Sequence, residues 1–115
     1  NGLNWKQTGK ISINLKKGER AVARPSVIYK EGNYYMWYCK ENKVGTYSMG
    51  FAVSKNGINW KRQDKKIGIY KSKSGWDSNM IAYPSIILHK KKYYMFYNGN
   101  DYGKSGFGIA VSQKF

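Results

Sequence analysis

Tyr34-Tyr35-Met36-Trp37-Tyr38 decides the fold, and it returns downstream as Tyr93-Tyr94-Met95-Phe96-Tyr97. Five consecutive large residues leave no polar face, whereas a half-exposed antiparallel strand alternates apolar and polar positions. Rings suit a pleated surface. Each run therefore reads as a strand covered on both sides.

The same duplication extends outward in both directions. Gly2-Leu3-Asn4-Trp5-Lys6 returns as Gly57-Ile58-Asn59-Trp60-Lys61, Pro25-Ser26-Val27-Ile28 as Pro84-Ser85-Ile86-Ile87, and Gly50-Phe51-Ala52-Val53-Ser54 as Gly108-Ile109-Ala110-Val111-Ser112. The four motifs keep their order at offsets of 55, 59, 59 and 58 residues, so two copies of one supersecondary unit make up nearly the whole chain. Each unit reads as a β-meander. Strands are expected near 24–30, 34–41, 47–54 and 59–64, then near 82–88, 92–98 and 106–113. Glu31-Gly32-Asn33, Lys55-Asn56-Gly57 and Asn98-Gly99-Asn100 supply turn residues that tolerate positive φ. No stretch carries a 3.6-residue apolar period, and helix content should be close to nil.

An all-β chain whose middle strands are covered on both faces is expected to be two four-stranded antiparallel blades of a β-propeller, because stacked blades bury each other's sheets. A two-sheet sandwich is the alternative. Repeat one spans about 8–64 and repeat two about 65–115. Residues 1–7 read as the outer strand of a preceding blade, and the final blade lacks its own. Two blades alone leave outer faces bare, so the expectation is a piece of a longer protein or a homo-oligomeric ring.

Composition narrows the function classes. Of 115 residues, 41% are hydrophobic and 17% aromatic, eleven of them Tyr, which is too much for disorder. No apolar run reaches the ~20 residues that span a bilayer, so no membrane partner is expected and the chain reads as soluble; its compartment is left open. Lys plus Arg number 21 against six acids, a net charge of +15. Such a field draws polyanions, but no basic helix or nucleic-acid motif accompanies it, and nucleic acid is disfavoured as a partner. The Lys clusters fall in turn-like positions, where they solvate loops. The single cysteine, Cys39, and single histidine, His89, support neither a disulfide nor a metal site. Cys39 reads as a small core residue. No cofactor is indicated, since Walker, dinucleotide-binding and HExxH motifs are all missing from the sequence.

At Ser54-Lys55-Asn56-Gly57-Ile58-Asn59-Trp60, at Ala23-Arg24-Pro25-Ser26-Val27, at Gly75-Trp76-Asp77-Ser78 and at Tyr83-Pro84-Ser85, the chain resembles the five-bladed β-propeller glycosidases near glycoside hydrolase families 43, 32 and 130. Some relatives of this kind are encoded with surface-polysaccharide genes. The resemblance covers almost all 115 residues but only about two of five blades. It implies a carbohydrate partner and an active site at one mouth of the channel, built on carboxylates from the innermost strands. Glycosidic cleavage needs a pair: a general acid for the departing oxygen, and a base or nucleophile opposite.

Glu31, Glu41 and Asp64 fall in turns or on outer strands and read as solvated. Glu19 and Asp77 precede the innermost strands of the two units and form the expected catalytic pair, with turn capping for Asp77, and surface pairing with Arg20 or Arg24 for Glu19, as the structural alternatives. Arg24 can hold a carboxylate or a sugar hydroxyl pair bidentately. Tyr83 is expected near the channel, and Trp76 is the best candidate for a pyranose-stacking platform. Trp5, Trp37 and Trp60 recur at repeat positions and read as blade packing. Asn100 and Asp101, in the loop Asn98 to Gly103, suit a polyol, although Asp101 also suits a tight turn. The resembling enzymes tend to carry Glu where this chain has Asn79, an amide that cannot donate a proton as a general acid. Asn79 is thus expected to contact substrate, and a non-catalytic carbohydrate-binding propeller stands beside the hydrolase reading. Polyanion binding through the net charge is third.

Overall fold

A computed structural model of the chain describes residues 2–113. Strands β1 (Glu19–Lys30), β2 (Asn33–Asn42), β3 (Tyr47–Ser54) and β4 (Lys61–Arg62) form a four-stranded meander. A second meander holds β5 (Ala82–His89), β6 (Lys92–Asn98) and β7 (Phe107–Ser112). All pairs are antiparallel. The two sheets are successive blades of a propeller, the architecture the duplicated sequence led us to expect, and not the alternative sandwich.

Both hairpins that open the meanders use two-residue turns with left-handed backbone, Glu31-Gly32 (φ 49° and 77°) and Lys90-Lys91 (φ 47° and 62°). Such turns match the right-handed twist of the flanking strands. They also place the Lys cluster in solvent. The expected strand at 59–64 shortens to Lys61–Arg62. Its approach is a capped loop instead: Ser54 Oγ accepts from the amides of Asn56 and Gly57, and Asn56 Oδ1 from those of Ile58 and Asn59. A 3-10 turn at Asp64–Lys66 and one short turn, α1 (Asn100–Gly103), are the helical elements among the described residues. Residues 2–10 form no ladder.

Met36, Trp37, Tyr38 and Cys39 are buried without a break along β2. Alternation sends Trp37 and Cys39 toward the second sheet, while Met36 and Tyr38 face away from it. On the first side Trp37, Met49 and Phe51 pack with Ile67, Ile81 and Tyr97 between the sheets. On the other side Met36, Tyr38 and Ala52 are covered by Ile13, Val22 and Trp60. Among the described residues nothing covers the far face of the second sheet, where Phe96 is 37% and Ile109 51% exposed. Gly50 lets the Tyr38 ring lie flat on β3, since a Cβ there would fall 2.4 Å from the ring.

Asp64 corrects the expectation of a solvated carboxylate. Its Oδ1 accepts from Tyr38 Oη at 2.7 Å and from the Phe51 amide at 3.1 Å. Its Oδ2 accepts from Arg62 Nη2 at 2.8 Å and from Lys16 Nζ at 3.2 Å. Arg62 in turn grips both oxygens of Glu19 at 2.9 and 2.5 Å and donates to the Asn14 carbonyl. One ion cluster therefore ties the strap at residues 14–16 to β1, β2, β3 and β4. Burial opposes the Asp64 charge, but the Tyr38 and Arg62 hydrogen bonds outweigh it and hold the carboxyl well below the usual range. The Arg62 hydrogen bonds lower Glu19 likewise.

Because both carboxyls bind protons less readily when folded, their contribution is complete above the unfolded carboxylate pKa of about 4 and is lost as pH falls through the lowered folded values. Urea melts across an acid series should show stability dropping below about pH 4. Asp64→Asn should cost about 2 kcal/mol at pH 7 and flatten that acid limb; an unchanged limb would remove the cluster from the account of stability.

Candidate functional site

The N-terminal ends of β1 and β5, the C-terminal end of β2, the start of β3 and the loops at 42–46, 71–81 and 99–106 meet at one end of the two sheets. Contacts between the sheets fix this end. The Ile81 amide donates to the Tyr47 carbonyl at 3.4 Å, and Tyr102 Oη donates to the Gly45 carbonyl at 2.9 Å. The Tyr47 ring lies 6.1 Å from Tyr83 and 5.6 Å from Tyr102.

Two equivalent irregularities shape it. The β1–β2 register slips between Ala23 and Ser26, and the β5–β6 register slips between Ala82 and Ser85. Within each slip one residue before a proline is left-handed, Arg24 at φ 53° and Tyr83 at φ 57°. Bulges re-aim side chains, and a left-handed non-glycine residue costs about 1–3 kcal/mol, a cost that clusters at functional sites. The two re-aimed side chains meet, with the Arg24 guanidinium 5.2 Å from the Tyr83 ring centre. Behind them the Tyr83 amide donates to Cys39 Sγ at 3.0 Å. Cys39 is fully buried, as the sequence led us to expect, and burial pushes its thiol up to about 11.

Glu41 belongs to this end, which corrects its reading as a solvated outer-strand residue. It lies on the same face of β2 as Trp37 and Cys39, opposite Tyr47 in the ladder, and is 9% exposed. Among the described residues its ionic contact is Arg20 Nη1 at 3.9 Å, beyond hydrogen-bonding distance. Burial, and then the Glu41 charge, raise the Tyr47 hydroxyl. The result is a sheltered carboxylate beside Tyr47 and Arg20, with Tyr83 and Tyr102 packed on the Tyr47 ring.

Asp77 is buried, and Tyr97 Oη donates to its Oδ2 at 2.9 Å. Burial and this carboxylate push Tyr97 up to about 12. Trp76 stacks on Tyr97 at 5.3 Å and lies over Gly108, where a Cβ would fall 2.6 Å from its ring. It is thus held in the wall, with roughly a third of it open. Asn100 stitches the two loops together: its Oδ1 accepts from the Asn79 and Met80 amides at 2.8 and 3.0 Å, and its Nδ2 donates to the Gly75 carbonyl at 3.0 Å. Asn79 is exposed. Positive φ in this loop falls at Asp101, Tyr102 and Gly103 rather than at Gly99 or Asn100, because Asn100 is occupied as a clip. Asp101 is exposed at the turn.

The expected pair is not brought together. Glu19 is consumed by Arg62 within its own blade, not by Arg20 or Arg24, while Asp77 is held by β6 of the other blade. The end of the sheets instead offers Asp77 and Glu41 as its carboxylates, with Arg24, Tyr83 and Trp76 beside them. No group of three or more metal-ligating side chains occurs among the described residues, and no helix among them is long and apolar enough to cross a membrane.

Known proteins share this architecture. No family model matches the chain. Two curated relatives from Mycobacterium tuberculosis, named "Uncharacterized protein MT1551" and "Uncharacterized protein Rv1502", are each 35% identical over 111 residues, 96% of this chain. The chain spans 36% of the length of each. Zg3597, a family 117 glycoside hydrolase from the marine bacterium Zobellia galactanivorans, matches with a TM-score of 0.72 over 90% of this chain and 38% of its own, at 19% identity. A structure from the GH130 family of mannoside phosphorylases, which contains glycoside hydrolases that target β-1,2 mannosidic linkages in Candida mannan, matches at 0.68 with 23% identity, over 81% of this chain and 29% of its own. CoXyl43, a GH43 β-xylosidase/α-arabinofuranosidase from a compost microbial metagenome, matches at 0.61 with 19% identity, over 81% and 32%. The chain carries two blades of the propeller fold of these glycosidases.

Arg24 provides a test of the strained bulge. Arg24→Gly removes the left-handed penalty along with the ring contact, so its stability should stay within about 1 kcal/mol of the parent. Arg24→Ala keeps the penalty and loses the contact, and should be the less stable of the two in urea unfolding. The reverse order would show that the backbone there is unstrained.

Proposed function

We propose that the chain contributes two blades to a carbohydrate-active propeller that acts on the glycosidic bonds of a poly- or oligosaccharide, with the glycan bound at the end where Glu41, Arg24, Tyr83, Trp76 and Asp77 gather. The observation that carries this reading is the pair of equivalent bulges, which direct Arg24 and Tyr83 toward one another at the starts of adjacent inner strands, on a fold shared with glycoside hydrolases. Tyrosine and tryptophan faces stack on pyranose C–H surfaces. Arginine forks and the Asn79 amide hydrogen-bond ring hydroxyls. Asp77 and Glu41 are the carboxylates assigned to acid–base work, one at the departing oxygen and one at the opposite face of the sugar.

A second reading has its own support. Glu19 is neutralised by Arg62, and Asn79 cannot act as a general acid, so a propeller that binds glycan without cleaving it fits the same residues. The whole protein's substrate and activity follow from whichever reading holds.

Calorimetry and product analysis on a panel of mannose-, xylose-, arabinose- and galactose-containing oligosaccharides separate the two. Under the hydrolase reading, products form, and Asp77→Asn and Glu41→Gln each lower turnover by about 10²-fold or more while binding persists. Saturable binding without products selects the binding module. Absence of both, with the fold intact, would overturn the assignment of this end to carbohydrate.

A further inference from the structure

The turn α1 carries two consecutive left-handed residues that are not glycine, Asp101 (φ 53°, ψ 45°) and Tyr102 (φ 59°, ψ 28°). For a side chain as large as tyrosine that backbone is a true outlier, and it persists only where the surrounding contacts hold it. Here those contacts run in two directions, one toward Asp77 and one toward Glu41.

In the second blade, Asn100 closes the segment 75–80 around Asp77. Its Nδ2 donates to the Gly75 carbonyl on one side of Asp77, and its Oδ1 accepts from the Asn79 and Met80 amides on the other. The Trp76 carbonyl, one residue before Asp77, accepts from the Asn100 amide at 2.8 Å and from Ser105 Oγ at 2.7 Å. The two loops lie so close that a Cβ on Gly99 would collide with the Trp76 carbonyl and ring. Asp77 thus stands in a segment clamped on both sides by one amide side chain.

Tyr102 crosses to the first blade. Its hydroxyl donates to the Gly45 carbonyl at 2.9 Å, and its ring meets Tyr47 edge-on at 5.6 Å. Tyr47 stands opposite Glu41 in the β2–β3 ladder. A Cβ on Gly45 would lie 3.8 Å from Glu41 Oε1 and 3.9 Å from Tyr102 Oη, so the acid and the phenol converge on one glycine. Asn98 Nδ2, donating to the Tyr102 carbonyl at 3.2 Å, ties the strained residue to β6.

We propose that Asn100 and Tyr102 are positioning residues, and that this turn sets Asp77 of one blade and Glu41 of the other at a fixed separation across the blade interface. The left-handed pair turns the chain, which is how side chains two positions apart reach opposite blades. Asn100 is therefore spent on the clamp and not on a polyol hydroxyl. The chemical consequence rests on the glycan reading: the gap between two carboxyls decides whether a sugar is attacked directly or through a water, and a misplacement of about 1 Å costs about 10²-fold in rate.

The test uses the protein at its full natural length, with hydrogen exchange resolved to single amides and glycan turnover measured separately. Asn100→Ala should speed exchange of the Asn79 and Met80 amides about 10-fold and leave β2 and β6 protected, and Asn100→Asp, which keeps the acceptor, should restore that protection. Tyr102→Phe keeps the ring and loses the cross-blade bond; it should speed exchange at Val44, Gly45 and Thr46, whose amides donate to Asn42. If the protein cleaves glycan, Asn100→Ala and Tyr102→Phe should lower kcat about 10- to 10²-fold with KM little changed, and Asn100→Ala should add nothing to the loss caused by Asp77→Asn. If it binds without cleaving, the same two variants should weaken affinity. Unchanged exchange in both loops would overturn the proposal whatever the activity, as would faster exchange with turnover and affinity at the parent's level, or an additive loss in the Asp77→Asn background. A protein that neither cleaves nor binds glycan fails the glycan reading and leaves the exchange measurements to decide this one.

Discussion

Four consecutive side chains of β2, Met36 to Cys39, lie below the surface, and a strand that points large groups to both sides needs a layer on each. Trp37 and Cys39 are satisfied by the second sheet, Met36 and Tyr38 by the strap containing Ile13 and by Trp60. The rest of the molecule follows. Packing a second meander against Trp37 brings β5 alongside β1 and β2, and that in turn places the start of β5 over the end of β2. The site at Glu41 is a by-product of covering Trp37.

The same constraint explains why polar groups sit where they do. Tyr38 is buried to its ring by Gly50, so its hydroxyl must find an acceptor below the surface, and Asp64 supplies one at 2.7 Å. A half-buried carboxylate is stabilised by a cation in turn, and Arg62 satisfies both Asp64 and Glu19. At the opposite blade Tyr97, the repeat counterpart of Tyr38, meets Asp77 instead. Each blade solves the same problem of a buried tyrosine with a different acid, one just after its outer strand and one just before its inner strand. Only the second solution leaves the carboxylate at the end of the sheets where Arg24 and Tyr83 gather.

Much of this was legible in the chain itself. The duplicated Tyr-Tyr-Met run and its flanking motifs carry the meanders, because strand pairing and two-sided burial are local consequences of a period and a repeat. Trp76, Asp77 and Asn79 were legible together as turn residues before an inner strand, whereas Asn100 was legible only as part of the loop after β6, and its clip onto Gly75, Asn79 and Met80 was not. Glu41 and Asp64 were not. Whether Glu41 faces solvent or the second sheet depends on the parity it shares with Trp37 and Cys39, and on a sheet that packs more than 40 residues later. Asp64 finds Tyr38 across 26 residues, a contact that no local pattern announces. The left-handed backbone at Arg24 and Tyr83 was equally hidden, since a residue before proline ordinarily prefers extended conformations.

The distribution of acids sharpens the meaning of the +15 charge. Glu19 and Asp64 are spent on Arg62, Asp77 is buried on Tyr97, and Glu41 is buried beside Arg20. Glu31, paired with Lys30, and Asp101 are the carboxylates left on the surface. Two of the six acids therefore neutralise the largely covered Arg62 and two more are themselves buried, while most lysines stand in turns and on edges in solvent. The outward field is accordingly more uniformly positive than mixed charges on one surface would give, and fields of that kind raise the local concentration of anions near a cleft. Any polyanion would meet the molecule faster than a neutral ligand, with a salt dependence that screening imposes on rate. The acids inside decide how the two blades hold together, and their removal from the surface leaves the outward field to lysine and arginine.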